Sequence, residues 1–398
     1  MSGFFVPHDL KRPLKSAATG PLAGLSAVVK DMYAIAGERA GGGNPDWLAN
    51  ATPATAHCTV VEKLLAAGAT IAGKTICDEF FYSVAGQNAH YGTPPNIRAP
   101  GRIPGGSSSG SAAAAAAGAC DFAMGSDTGG SVRIPASLCG IYGIRTTHGR
   151  VDTKGVMDMS PSFDTVGWLA ATAGVFRKVG HVLLGGAAAP ASIRNLLIAD
   201  DAFEQADEPV AELLSDALSA MADALPKPQH IRIASGSMDR TLDYWRDAVR
   251  IIQASEIWQV YGRFVEEKHP RFGPGVAERM QAASKIGKAE ADAARKVHAA
   301  AREHIRAQIP PGTVVALPSA PCIAPRIDTP AAEMDAYRTR VMRLTCIAGL
   351  GGLPQVSIPA GTVAGCPVGL SLIGWAGGDE ALLDLAVTLS KHCGMTRD

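Results

Sequence analysis

Net charge, metal-ligand spacing, paired cysteines and long apolar runs are all missing from this 398-residue chain, and each absence removes a class of protein. Lysines plus arginines number 37, as do aspartates plus glutamates. The basic footprint of a nucleic-acid-binding or membrane-surface protein is therefore absent. No stretch approaches the roughly 18–20 apolar residues of a membrane span. The N-terminus mixes Phe4 and Phe5 with His8, Asp9, Lys11 and Arg12, without the apolar core of a signal peptide. The eight cysteines, at 58, 77, 120, 139, 322, 346, 366 and 393, form no CxxC pair. They are expected as buried free thiols of a cytoplasmic protein. The ten histidines form neither HxxxH nor HExxH, so no metal site is expected.

What the chain does have describes a globular fold. Apolar residues make up 47% and charged residues 19%, enough burial potential to exclude disorder. Glycine is abundant, at 44, and Ala112–Ala117 is an unbroken alanine run, which together predict close backbone packing. Gly24 to Val29 is short, apolar and β-branched; it reads as a buried strand delivering Lys30 and Asp31 at its end. Val60, Val61, Leu64 and Leu65 have the spacing of one helical face, stopped by Gly68. Ala69–Ala72 is a second strand candidate, and Gly86–Gly106 reads as loop. A strand, a helix and a turn are expected over about 193–229, and helix over 242–308 with a break near Pro270–Pro274. A further strand is expected at Thr313–Pro318. With neither repeats nor a long linker, residues 1–398 are taken as one domain.

The densest chemical signal lies between Gly105 and Arg145. Gly105-Gly106-Ser107-Ser108-Ser109-Gly110-Ser111 is followed by Gly125-Ser126-Asp127-Thr128-Gly129-Gly130-Ser131-Val132-Arg133-Ile134-Pro135. A double glycine before a serine lets the backbone turn sharply and presents the hydroxyl without a neighbouring Cβ. The N–H groups of Thr128 to Ser131 can form a concave nest for an anion, either a phosphate or the oxyanion of acyl transfer. Gly106 to Gly110 formally matches the G-x-S-x-G nucleophile elbow. That elbow needs a strand before it, which Pro100–Pro104 cannot supply. A phosphate loop is disfavoured because no G-x-x-x-x-G-K-[ST] occurs.

Together these residues resemble the amidase signature family: a lysine at a strand end, a GGSSxGS loop, and a G-[ST]-D-x-G-G-S-[IV]-R-x-P segment. Ser107 and Ser131 stand 24 positions apart, as in the family. Cys139–Arg145, Gly352–Pro359 and Pro367–Gly374 extend the likeness over about residues 20 to 385. The resemblance implies an α/β fold with a mixed central β-sheet covered by helices on both sides. It implies Ser131 as nucleophile, Ser107 as a bridging serine in a cis peptide after Gly106, and Lys30 as base. The backbone N–H groups of Thr128, Gly129, Gly130 and Ser131 would form the oxyanion hole. Ser126, Asp127 and Arg133 would support the site, the last two as a buried pair bracing the loop. No metal and no organic cofactor is implied. The chemistry is sensible: a serine hydroxyl needs a neighbouring base, and a lysine can be one only where burial disfavours its charged form.

Within the family, Gly43-Asn44-Pro45-Asp46-Trp47, Asp78-Glu79, His90–Pro94 and Ser162–Trp168 resemble the plant indole-acetamide hydrolases. The expected function is hydrolysis of a carboxylic amide to acid and ammonia. The substrate would be an arylacetamide such as indole-3-acetamide, or a small aliphatic amide. The partner is thus a small molecule, and a homodimer is left open. The alternatives are an amidotransferase A-type subunit that needs a partner, and a non-catalytic amidase-like binding module. The presence of Lys30, Ser107 and Ser131 together disfavours the module. Pocket residues are expected chiefly in about 155–200 and 315–350. A dicarboxylic amide would call for an arginine, which Arg326 or Arg343 could supply. Trp47 is expected to pack, and His298 and His304 to face solvent on a helix.

Overall fold

The computed structural model describes residues 3–15, 19–185, 192–237 and 240–392. Its strands are β1 (Ser26–Lys30), β2 (Thr70–Thr75), β3 (Phe122–Asp127), β4 (Tyr142–Arg145), β5 (Thr165–Ala170), β6 (Asn195–Ala199), β7 (Pro228–Ile231), β8 (Thr313–Pro318), β9 (Gln355–Val363) and β10 (Cys366–Ile373). All ten join one sheet in the order β2-β1-β3-β5-β4-β9-β10-β8-β6-β7. The sheet is mixed. β1 runs parallel to β2 and β3, and β6 runs parallel to β7 and β8, while the central pairs are antiparallel.

The helices are α1 (Pro45–Asn50), α2 (Thr59–Ala66), α3 (Ser109–Ala116), α4 (Arg133–Cys139), α5 (Ala173–Leu184), α6 (Asp200–Phe203), α7 (Glu208–Ala220), α8 (Leu242–Lys268), α9 (Val276–Ala283), α10 (Lys288–Gln308), α11 (Ala331–Gly351) and α12 (Asp379–Ser390). None is long and apolar enough to cross a membrane. The period-2 alternation of the strands distributes them over both faces. Ala27, Val29, Phe122, Met124, Val166 and Trp168 pack with residues of α2, α5 and α12. Val28, Ala123 and Leu169 pack instead with the alanines of α3 and with Val132, Ala136 and Cys139. Every residue of α3 is buried, so the alanine run serves close approach to the sheet.

The expected elements form, with shifted edges. Lys30 is itself the last residue of β1, paired with Thr75, and β2 extends to Thr75 rather than ending at Ala72. The break near Pro270–Pro274 separates α8 from α9. All seven described cysteines are free, six of them buried. Two expectations fail. His298 and His304 are half-buried rather than solvent-facing, with Nε2 donating to Leu350 O and Ile233 O respectively at 3.2 Å. The reason is that α10 is packed against α8 and α11, which cover that side.

Trp168 sits at the sheet centre without solvent exposure, its Nε1 donating to Phe176 O at 2.9 Å. Trp168→Ala is expected to lower the unfolding free energy by about 3–5 kcal/mol, measured by denaturant titration.

Candidate active site

Parallel pairing of β1 with β3 places Val29 beside Met124, so both strands deliver their C-terminal residues to one sheet edge. Crevices beyond such strand ends are where ligands bind in open α/β sheets. β1 delivers Lys30; β3 delivers Ser126 and Asp127, followed by the Thr128–Ser131 loop that leads to α4. Ser107 arrives from the turn before α3, and the Gly106–Ser107 peptide is cis. Only glycine fits at 106, where an added Cβ would lie 2.4 Å from an Asp78 carboxylate oxygen.

Lys30 has no solvent exposure. Its Nζ donates to Ser107 Oγ and Ser126 Oγ, each at 2.8 Å, and lies 4.8 Å from the centre of the Phe81 ring. Burial without a carboxylate in contact lowers the lysine pKa to about 8, with only smaller opposing effects from Cys77, Asp78 and Asp127.

Asp127 is equally buried and has the opposite surroundings. Arg133 reaches it with Nε at 3.0 Å and Nη2 at 2.7 Å, and Arg145 Nη1 stands at 3.2 Å. The N–H groups of Gly130, Val132 and Arg133 donate to the same carboxylate at 3.0 to 3.3 Å. Burial opposes the charge, but the two guanidinium groups and these donors hold the carboxyl well below its usual range. Arg133 continues to Thr345 O at 3.1 Å and Gln355 Oε1 at 2.6 Å, tying the loop to α11 and β9. The expected bracing pair is therefore part of a larger network that includes Arg145.

The loop is held from outside as well. Thr128 Oγ1 donates to Asp164 Oδ1 at 2.5 Å, and Thr345 Oγ1 donates to Gly129 O at 2.9 Å. Gly130 has φ 115°, and a Cβ there would lie 2.7 Å from the Thr345 methyl carbon, so neither conformation nor space admits another residue. The Gly130 N–H is turned inward to Asp127. Among the described residues no acceptor is set against the N–H groups of Gly129 and Ser131.

Thr128, Gly129 and Ser131 open onto a cleft. Its other walls include Phe81, Met159, Gln253, Arg279, Arg338 and Met342. Met159, Arg338 and Met342 fall in the expected stretches, whereas Phe81, Gln253 and Arg279 lie outside them. Arg326 and Arg343 do not line the cleft. Their own acid neighbours hold them elsewhere: Arg326 pairs with Asp328, and Arg343 with Asp243. Trp47 packs against Phe80, Tyr261 and Phe264, as expected. No cluster of three or more His, Cys, Asp or Glu able to hold a metal occurs among the described residues.

Comparison with known proteins agrees with this architecture. A family model described as Amidase matches residues 8–209 and 234–383. Amidase 1 of Arabidopsis thaliana is 36% identical over 415 residues, which cover 98% of each chain. Outer envelope protein 64, chloroplastic, of the same plant is 31% identical, covering 95% of this chain and 68% of its own. A crystal structure of an amidase superposes with a TM-score of 0.85 at 26% identity, over 94% of this chain and 86% of the other.

Removing one partner from a buried ionic network leaves an uncompensated charge. Arg133→Met is thus expected to destabilise the fold by about 3–5 kcal/mol. Arg133→Lys should recover little, because an ammonium cannot reproduce the two-pronged contact. Thermal and denaturant unfolding of the three proteins measures both effects.

Proposed function

This chain belongs to the amidase signature family and is an amide hydrolase; we propose that it cleaves a primary carboxamide to acid and ammonia through an acyl-enzyme on Ser131. The observation that carries this reading is Lys30, a lysine with no solvent exposure, hydrogen-bonded to Ser107 and Ser126 beside the cleft that Ser131 enters. The similarity to Amidase 1 supports an amide as substrate, either an arylacetamide such as indole-3-acetamide or a small aliphatic amide.

In the reactive state Lys30 is neutral, donates to Ser126 and accepts from Ser107. Ser107 passes the proton of Ser131 to the amine as Ser131 Oγ attacks the carbonyl carbon. The oxyanion is met by the N–H groups of Gly129 and Ser131, with Thr128 at the rim, while Gly130 holds the turn through Asp127. Collapse expels ammonia, protonated through Ser107 by Lys30. Water then repeats the sequence on the ester, freeing the acid and Ser131. This scheme uses one chain and no cofactor.

Purified protein should release ammonia from a simple carboxamide without glutamine, ATP or a second chain. Dependence on any of these would favour the amidotransferase reading, and no turnover would favour the binding module. Ser131→Ala should lower kcat by about 10⁴-fold or more with the fold intact, and a fluorophosphonate should label Ser131 alone.

The pH profile follows from the depressed lysine. The active neutral form is populated above a pKa of about 8, so kcat/KM should fall as pH drops through that value. Lys30→Ala should lose turnover mainly in kcat. Lys30→Arg should not rescue it, since guanidinium stays charged at any working pH. Near-normal rates in the arginine variant would move the base elsewhere.

A further inference from the structure

The cleft that Ser131 lines is also lined by two guanidinium groups and by no carboxylate. Arg279, from α9, donates Nε to Tyr82 O at 2.8 Å and lies 5.6 Å from the centre of the Tyr82 ring. Its two terminal nitrogens meet no hydrogen-bond acceptor among the described residues. Arg338, one turn before Met342 on α11, reaches the exposed Asp335 through Nη1 at 2.7 Å, while its Nε is buried and unpartnered. Gln253, from α8 and only 5% exposed, has an unpartnered buried Nε2. That nitrogen is 3.3 Å from where a Cβ on Gly129 would stand.

Unsatisfied buried donors such as Arg338 Nε and Gln253 Nε2 are costly, and two like charges lining one cleft add to that cost. The nearby acids do not cancel it. Asp78 makes no ion pair with either guanidinium group among the described residues, and Asp335, which Arg338 reaches, is 73% exposed. Burial, and then the Arg338 charge, lower the Arg279 pKa from its ordinary value, which is the signature of a cation held without an adequate counter-charge.

We propose that the substrate carries a carboxylate on its acyl side, seated between Arg279 and Arg338 with the Gln253 amide beside it: the monoamide of a short dicarboxylic acid. The inference rests on the amide-hydrolase reading above. Ammonia as leaving group has no room for a second charge, so the anion must belong to the acyl chain. A neutral aryl group would desolvate both guanidinium groups while offering neither a counter-charge, with the exposed Asp335 the one acid in contact with Arg338 among the described residues. Guanidinium matches a carboxylate through paired N–H donors. Met159 and Met342 then flank the connecting methylenes.

The test compares ammonia release from succinamate and glutaramate with that from butyramide and pentanamide, in which a methyl replaces the carboxylate, and from phenylacetamide. Wild-type kcat/KM should favour the charged amide of at least one pair by more than about 10-fold. Arg338→Met and Arg279→Met should lower it by about 10–100-fold, chiefly through KM. Arg338→Lys should fall between, which separates loss of charge from loss of fold. Independently of turnover, succinate and glutarate should bind Ser131→Ala in calorimetry and weaken in Ser131→Ala/Arg338→Met. Equal or better use of the neutral amides overturns the carboxylate site while leaving the hydrolase reading standing. If no amide is cleaved, the hydrolase reading falls, and diacid binding to Ser131→Ala alone decides the carboxylate site. Failure of both diacids to bind overturns it.

Discussion

The Asp127 carboxylate is removed from water and enclosed by the guanidinium groups of Arg133 and Arg145 and by three backbone N–H donors. A buried carboxylate this well satisfied cannot shift without exposing a charge to an apolar interior. The Thr128–Ser131 loop therefore has one shape. Because Arg133 also reaches α11 and β9, that shape is transmitted to elements more than 200 residues away in the chain. The sheet edge, the α4 start and one wall of the cleft all hang on this network.

Lys30 lies across the sheet edge from it and shows what the same burial does without a counter-charge. Both groups are fully buried, yet Asp127 keeps its charge more firmly than in water, while Lys30 releases its proton more readily. The difference lies in the contacts: Asp127 touches two cations, whereas Lys30 touches two hydroxyls and an aromatic face. One group is thereby fixed as structure and the other is placed where its proton can move. Neighbouring strand ends carry both, so the separation between scaffold and chemistry is made by side-chain surroundings and not by distance.

The cleft is assembled from the strand-end loops and from three helices of the second half of the chain. α8 contributes Gln253, α9 contributes Arg279, and α11 contributes Arg338 and Met342. On α11 the residues Arg338, Met342 and Thr345 follow the i, i+4, i+7 spacing of one helical face. Thr345 contacts the Gly129 carbonyl while Arg338 lines the cleft. A single helix thus braces the serine loop and supplies part of the pocket, which couples the rigidity of one to the selectivity of the other.

The sequence by itself determined the parts of the site that depend on backbone. Gly106 and Gly130 had to be glycine where space is lacking, and a serine follows each double glycine; the roles of Lys30, Ser107 and Ser131 came from the resemblance of these segments to the amidase signature family. The sequence also determined β1, β8 and α2 through their apolar pattern. Only the tertiary structure decided which distant side chains meet that loop. The helices from 242 to 351 are rich in arginine, and nothing local distinguishes Arg338 from Arg343 five residues later. Their fates diverge because one faces the cleft and the other finds Asp243, a contact made by the packing of α11 on α8. Amphipathic period states that a helix has a buried side, but not what that side is buried against, and it is the partner surface that turns an arginine into a ligand for substrate or for a neighbouring acid.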